Sequence, residues 1–245
     1  MGKNKTNMKN EVFTKQNDKV VVLPKRTIFK VPRLLLADAY TVGSDKFQSD
    51  DAKTRSDYYI VFRKDLHTVN PILYAKGDNR IIFGGLKRIL EELFYEPITH
   101  EEIDEAKRFL STFKATMLGY TKYDFPEKMW RRVVDEFNGR PPIEVKAMLE
   151  GSVVYPNEPV VQVRSKVEGM GELAAWFEST LLKVWAVSER ITQNEHWLLK
   201  MKKMVRKVDP TLSEDLVTFH ASMMLTDFGD RAGITNDESQ VLGMA

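Results

Sequence analysis

Met224-Leu-Thr-Asp-Phe-Gly-Asp-Arg-Ala-Gly233 decides how this chain is read, because an apolar run ends there abruptly in an acid, an aromatic, a glycine and an arginine. Val217 to Leu225 supply the apolar approach, and Gly229 lets the backbone turn or come close to a ligand. The pattern reads as the end of an active-site strand. Phe228 offers a flat apolar face and Arg231 a fixed cation with planar donors, a pair that suits a flat heterocycle beside a phosphate.

Upstream of that stretch the periodicity predicts a helix from about Ser213, preceded by a long helical run from Glu172 to about Val208 that ends at Asp209-Pro210. A break in the long run is expected near Ser188, with Trp176, Leu182, Trp185 and Leu198 among its buried residues. Ile143, Val145 and Ala147 alternate with charged neighbours, and Val160, Val161 and Val163 follow a turn at Pro156 to Pro159, which predicts a hairpin. Thr99 with Glu102 forms a capping box ahead of Ile103, Ala106, Phe109, Leu110 and Phe113. Asp124 with Glu127, and Pro126 just inside, open a further helix that Gly139 ends. Tyr58 to Phe62 reads as a strand, and Asn79 to Phe94 turns into a helix. Leu34 to Leu36 run into Ala37-Asp38-Ala39-Tyr40, a second place where a short apolar run meets an acid and an aromatic.

The first 33 residues are set apart, with nine Lys and Arg against only Glu11 and Asp18. They read as a basic, flexible arm. Across all 245 residues, 37 Lys plus Arg against 35 Asp plus Glu leave a formal charge of only +2, which calls for neither nucleic acid nor an anionic membrane as partner. The absence of cysteine excludes a disulfide framework, a thiolate zinc site and a cysteine nucleophile, and fits a reducing cytoplasm. No apolar run approaches the roughly 18 residues of a membrane-spanning helix, and the N-terminus carries no signal-peptide core.

Two short motifs lack the context they need. Asp227-Phe228-Gly229 matches the magnesium tripeptide of protein kinases, but the chain has neither a glycine-rich phosphate loop nor a His-Arg-Asp loop upstream. Gly169-Met-Gly171-Glu-Leu-Ala174 fits the dinucleotide glycine pattern, but Glu189, the acid expected to end a second strand, lies in a helical stretch. His67, His100, His196 and His220 are scattered without metal-ligand spacing and read as surface or capping residues; no metal ligand is expected.

Five stretches in order then carry a resemblance. They are Leu35-Leu-Ala-Asp-Ala-Tyr40; Ile82-Phe-Gly-Gly-Leu86 with Ile89-Leu90; Pro142-Ile-Glu-Val-Lys-Ala147 with Glu150-Gly151; Trp176-Phe-Glu-Ser179 with Leu182 and Trp185; and Leu225 with Asp227-Phe-Gly229 and Arg231. From about residue 34 onward the chain resembles the N-terminal half of nicotinamide phosphoribosyltransferases, with nicotinate phosphoribosyltransferases as the sister family. That family joins nicotinamide to phosphoribosyl pyrophosphate and releases nicotinamide mononucleotide and pyrophosphate, a step of NAD salvage.

The resemblance implies an α+β architecture in three parts. These are the basic arm over 1–33, a mixed-sheet N-terminal domain with helices over 34–168, and over 169–245 a long helical segment with the opening strand of an incomplete α/β barrel of the type II phosphoribosyltransferase kind. It implies that Phe228 stacks on one face of the pyridine ring and Tyr40, from the second subunit of a homodimer, on the other. Each stack adds on the order of 1 kcal/mol beyond area burial. Arg231 would sit at the carboxamide and phosphate side, and Asp38 in the same shared pocket. Magnesium would arrive with phosphoribosyl pyrophosphate and be held outside this chain, and no catalytic residue is assigned within it. The chain is expected to be inactive alone, as half of an enzyme completed by a separately encoded C-terminal half. The alternative is a noncatalytic remnant that pairs with a full-length phosphoribosyltransferase. It departs from the family at Thr226, where histidine is usual, at Asp230, where tyrosine is usual, and at Glu195, where arginine is usual, whereas Thr192 is retained. The two acids lower the local positive potential.

Overall fold

The structure is a computed structural model; it describes residues 13–16, 19–22, 32–38, 41–42, 49, 54–117, 125–165 and 167–226. Two units divide the chain, Met1–Val31 and Pro32–Ala245. In the first, Phe13–Gln16 (β1) and Lys19–Val22 (β2) pair antiparallel, with Phe13 opposite Val22 and Gln16 opposite Lys19.

The second unit mixes helices with two small sheets. After a single 3-10 turn at Arg33–Leu35 come Asp57–Val61 (β3), the short helix Leu66–Val69 (α1), Ile81–Ile82 (β4), Leu86–Phe94 (α2), His100–Met117 (α3) and Glu127–Phe137 (α4). Ile143–Ala147 (β5), Val153–Val154 (β6), Pro159–Ser165 (β7), Glu172–Leu181 (α5), Val184–Val208 (α6) and Glu214–Met223 (α7) follow. β7 is the middle strand of an antiparallel β3-β7-β5 sheet, as its valines require: Val160, Val161 and Val163 are all buried. The expected pairing of β5 with β7 is present, with Val145 opposite Val163. Between these two strands the chain makes an excursion, because Val153 and Val154 pair with Ile82 and Ile81 of β4 in a second sheet.

The core lies where α5 crosses the large sheet. Trp130 and Trp176 meet edge to face at 5.3 Å between ring centroids, and Phe125 and Phe177 close on the same pair. Trp176 is wholly structural: its Nε1 donates to the Leu34 carbonyl at 2.7 Å, so its one polar atom is satisfied in the interior. A smaller cluster of Val205, Val217 and Ala221 zips α7 onto the end of α6.

Several helix boundaries differ from the sequence reading. Thr99 caps α3, accepting from the Glu102 amide at 3.2 Å, but Glu102 does not complete the box, because its carboxylate is committed to Arg33. Phe109 is half exposed rather than on the buried face. Pro126 stands at the cap of α4 rather than inside it, and Asn138, at φ 53°, turns the chain out of the helix ahead of Gly139. The long run breaks at Leu182-Lys183, not at Ser188. Amide bonds from Lys183 to Thr180 and from Trp185 to Leu182 tighten that turn, whereas Ser188 stays helical and spends its hydroxyl on a neighbouring loop. His196 is buried rather than on the surface, its ring edge-on to Tyr74 at 4.8 Å.

The largest correction concerns the approach to Asp227. Val217 to Met223 are helix, not the start of a strand. Ser213 caps it by accepting from the Leu216 amide, Glu214 and Asp215 occupy its first turn, and Val217 and Ala221, four apart, face α6. The described chain continues only to Thr226, so the expected opening strand of a barrel lies outside the described residues. Among those residues no helix is long and apolar enough to cross a membrane.

Candidate functional site

Of the four site residues read from the sequence, Asp38 alone lies among the described residues; Tyr40, Phe228 and Arg231 lie outside them. Asp38 is exposed, and its place is fixed from the backbone: its amide donates to Ser179 Oγ at 3.1 Å, and its carbonyl accepts from the Val42 amide at 3.3 Å. Ser179 ends the Trp176-Phe-Glu-Ser179 stretch on α5, so two segments 141 residues apart are joined at this corner. Trp176 repeats the join one turn earlier through the Leu34 carbonyl.

Glu178, beside Ser179, was not singled out in the sequence. It is half-buried, and burial pushes its carboxyl above the usual carboxylate range; the Asp38 charge pushes the same way, and the Arg63 guanidinium pulls against both. Arg63, at the end of the β3 segment, also lies over the ring of Trp185, with Cζ 5.4 Å from the centroid. The corner therefore gathers two acids, a hydroxyl, a cation and an indole. Only a low-specificity signal, charged residues just after a strand and within a helix, could have pointed to Glu178 and Arg63.

Glu178 makes the corner pH-sensitive with a definite sign. Its pKa in the folded chain lies above the ordinary value of 4.5, so the folded state holds the proton more tightly than the unfolded state. The contribution to stability is then fully present below that ordinary value and is lost as pH rises through the raised one. Glu178→Gln is therefore expected to stabilise the chain at neutral pH and to change nothing in acid. Urea unfolding at the two pH values checks this, and an equal gain at both would remove titration of Glu178 as the cause.

The Ile82-Phe-Gly-Gly-Leu86 stretch is assembled with equal definition, but for packing. Phe83 exchanges backbone bonds with the Gly151-Ser152 turn, at 3.0 Å from its amide to the Ser152 carbonyl and 2.8 Å from the Gly151 amide to its own carbonyl. Ser188 Oγ accepts from the Gly84 amide and donates to the Gly84 carbonyl, both at 3.1 Å, while Thr192 Oγ1 accepts from the Ile82 amide at 2.9 Å. Thr192 is thus a buried staple between α6 and β4, with its proton given to the Ser188 carbonyl at 2.7 Å. Glu150 Oε1 accepts from the Lys87 amide at 2.9 Å, tying the third stretch to the second. A groove of about 940 Å³ opens along this junction, with Leu86, Phe94, Ile143 and Val145 on its walls. Glu195, the acid found where the family usually has arginine, acts on Arg80, so its charge is partly offset locally.

Residues 33–145 match the family model described as the N-terminal domain of nicotinamide phosphoribosyltransferase. A nicotinamide phosphoribosyltransferase of Xanthomonas campestris pv. campestris (strain 8004) is 31% identical over 163 residues, which cover 66% of this chain and 32% of that protein. The chain thus spans about a third of the length of the curated relative it matches. The crystal structure of human nicotinic acid phosphoribosyltransferase aligns over 69% of this chain and 28% of its own, at 18% identity and a TM-score of 0.45.

Proposed function

We propose, for a chain whose residues 33–145 carry the N-terminal domain of the nicotinamide phosphoribosyltransferase family, a place in NAD salvage. In this reading it supplies the N-terminal portion of an enzyme that joins nicotinamide to phosphoribosyl pyrophosphate. The observation that carries the reading is the family match itself, which takes in the Ala37-Asp-Ala-Tyr40 stretch and ends within β5. The corner where Asp38 is seated on Ser179 supports it, since two of the family-like stretches meet there.

Phe228 and Tyr40 then take the two faces of the pyridine ring, with Tyr40 provided by a second copy in a homodimer. Arg231 takes the carboxamide and phosphate side, and Asp38 orients groups at the shared pocket. The remaining strands of an α/β barrel, and the loops that hold phosphoribosyl pyrophosphate, come from a C-terminal portion. Magnesium enters as the complex of phosphoribosyl pyrophosphate. Among the described residues no group of three His, Asp or Glu converges to hold a metal ion, so those residues do not fit a magnesium site of their own. A cytoplasmic setting belongs to the same proposal.

In an assembled active form, Phe228→Ala and Tyr40→Ala are each expected to weaken nicotinamide binding by about 1 to 3 kcal/mol, from lost area and stacking. Calorimetric titration with nicotinamide measures this, and unchanged affinity in both variants would remove the pyridine platform. The 245-residue chain alone, mixed with nicotinamide, phosphoribosyl pyrophosphate and magnesium, is expected to form no nicotinamide mononucleotide. Positioning the electrophile is worth about 7 to 11 kcal/mol of barrier in well-oriented reactions, and the family match covers 32% of the relative. Product formed by the chain alone would overturn this division of labour.

A further inference from the structure

A second cavity, of about 360 Å³, lies between the β3–β4 connection and α6, away from the Asp38–Ser179 contact. Its inner wall is apolar, made by Leu66, Ile81 and Tyr74, with Phe62 and Trp185 as further aromatic surfaces. Its mouth carries three exposed charges, Arg63, Lys64 and Glu189. Two polar atoms set it apart from an ordinary packing gap. Tyr74 is only 2% exposed, and its Oη has no hydrogen-bond partner among the described residues; the same holds for the buried Trp185 Nε1. A buried hydroxyl left unpaired costs on the order of 1 to 3 kcal/mol, so its retention asks for a partner that arrives from outside.

The chemistry of these groups specifies that partner. Trp185 Nε1 can only donate. Burial and the Glu189 charge push the Tyr74 hydroxyl up to about 12, so it too stays protonated and is available as a donor. Thr192, on the same wall, is already committed through both its hydroxyl proton and its lone pair. The cavity thus offers donors without acceptors inside and two cations against one anion at its mouth. It lacks an oxygen acceptor of single negative charge on a flat apolar body. A phosphate or a dicarboxylate brings two charges and meets Glu189.

We propose that this cavity is a binding site for a small planar aromatic monocarboxylate, its ring against Trp185 and Phe62 and its carboxylate facing the Tyr74 hydroxyl and the Arg63 guanidinium. The site stands independently of phosphoribosyl transfer, because none of the residues assigned to the pyridine platform lines it.

The test uses the full 245-residue chain with benzoate, benzamide and inorganic phosphate as probes. Benzoate is expected to bind saturably by calorimetry and to shift the indole N–H resonance of Trp185. Benzamide, of the same shape without the charge, is expected to bind at least about tenfold more weakly, the difference between a hydrogen bond to a charged and to a neutral group. Inorganic phosphate is expected not to displace benzoate. Tyr74→Phe and Arg63→Gln are each expected to weaken benzoate about tenfold. Tyr74→Phe removes only an unpartnered hydroxyl, so its thermal transition is expected not to fall; should that variant unfold, Arg63→Gln, on the surface, carries the test. Absence of saturable binding, affinity unchanged in Arg63→Gln, or displacement by phosphate, the mark of an unspecific cation patch, would each overturn the proposal.

Discussion

Arg33→Met is expected to destabilise the second unit by about 3 to 5 kcal/mol, the range for removing one partner of a buried ion pair. Arg33 is the last cation of the basic N-terminal run, yet it is 8% exposed and belongs to the unit that starts at Pro32. Its guanidinium donates to the Leu93 carbonyl at 2.9 Å, to the Glu96 carbonyl and to the Pro97 carbonyl at 2.9 Å, which are the orphan acceptors where α2 ends. The same side chain pairs with Glu102, at 3.1 Å from Nε to Oε1 and 2.8 Å from Nη2 to Oε2, and Glu102 also accepts from the Arg33 amide at 2.6 Å. The cation therefore sits at the C-terminus of one helix and the carboxylate in the first turn of the next, each at the end of the helix dipole that favours it. Removing Arg33 leaves a poorly hydrated carboxylate and three carbonyls without donors. Adding Glu102→Gln in the Arg33→Met background is expected to restore part of the loss, because the stranded charge disappears while the carbonyls stay unpaired. Urea unfolding of the two variants checks the order; a loss below about 1 kcal/mol for Arg33→Met, in the range of a surface pair, would show that the contact contributes little.

Gly85→Ala is expected to cost about 2 to 5 kcal/mol, from two separate sources. Gly85 stands at φ 88°, where an L residue pays about 1 to 2 kcal/mol for its Cβ. An added Cβ would also lie 2.4 Å from Val187 Cγ1 and 2.7 Å from Val187 Cβ, and a β-branched side chain on a helix has little rotamer freedom with which to yield. Gly84→Ala is expected to be milder. Its Cβ would meet the Cδ1 of Ile191 at 2.8 Å, the far end of a side chain that can turn aside, and its backbone is not in the left-handed region. The Val187→Ala background separates the two sources at Gly85, since it removes the clash and leaves the backbone cost. Thermal or urea melts that rank Gly84→Ala above Gly85→Ala in damage would contradict the packing of this turn on α6.

These two positions also mark where reading the chain from sequence succeeds and stops. Local signals carry far when the partner is near in sequence. The valines of β7 alternate and form a strand, Ser213 and Thr99 cap the helices that follow them, and Asp209-Pro210 ends α6. The family-like stretches are legible for the same reason, since each is a contiguous set of side chains. What the sequence leaves open is every choice made by a distant partner. Glu102 has the spacing of a capping-box acid, and Arg33, 69 residues away, takes it. Ser188 reads as a helix breaker, but its hydroxyl pairs with Gly84, 104 residues away, and the helix passes through it. Val217 to Met223 read as the approach to a strand, and the apolar side of α6 captures Val217 and Ala221 as a helix instead. Among the candidate site residues, the sequence by itself picks out Asp38 as an acid at the end of an apolar run. Only the tertiary structure adds Glu178 and Arg63 to it, because electrostatic neighbourhood depends on distance in space, and the β3 connection and α5 meet only once the sheet has formed.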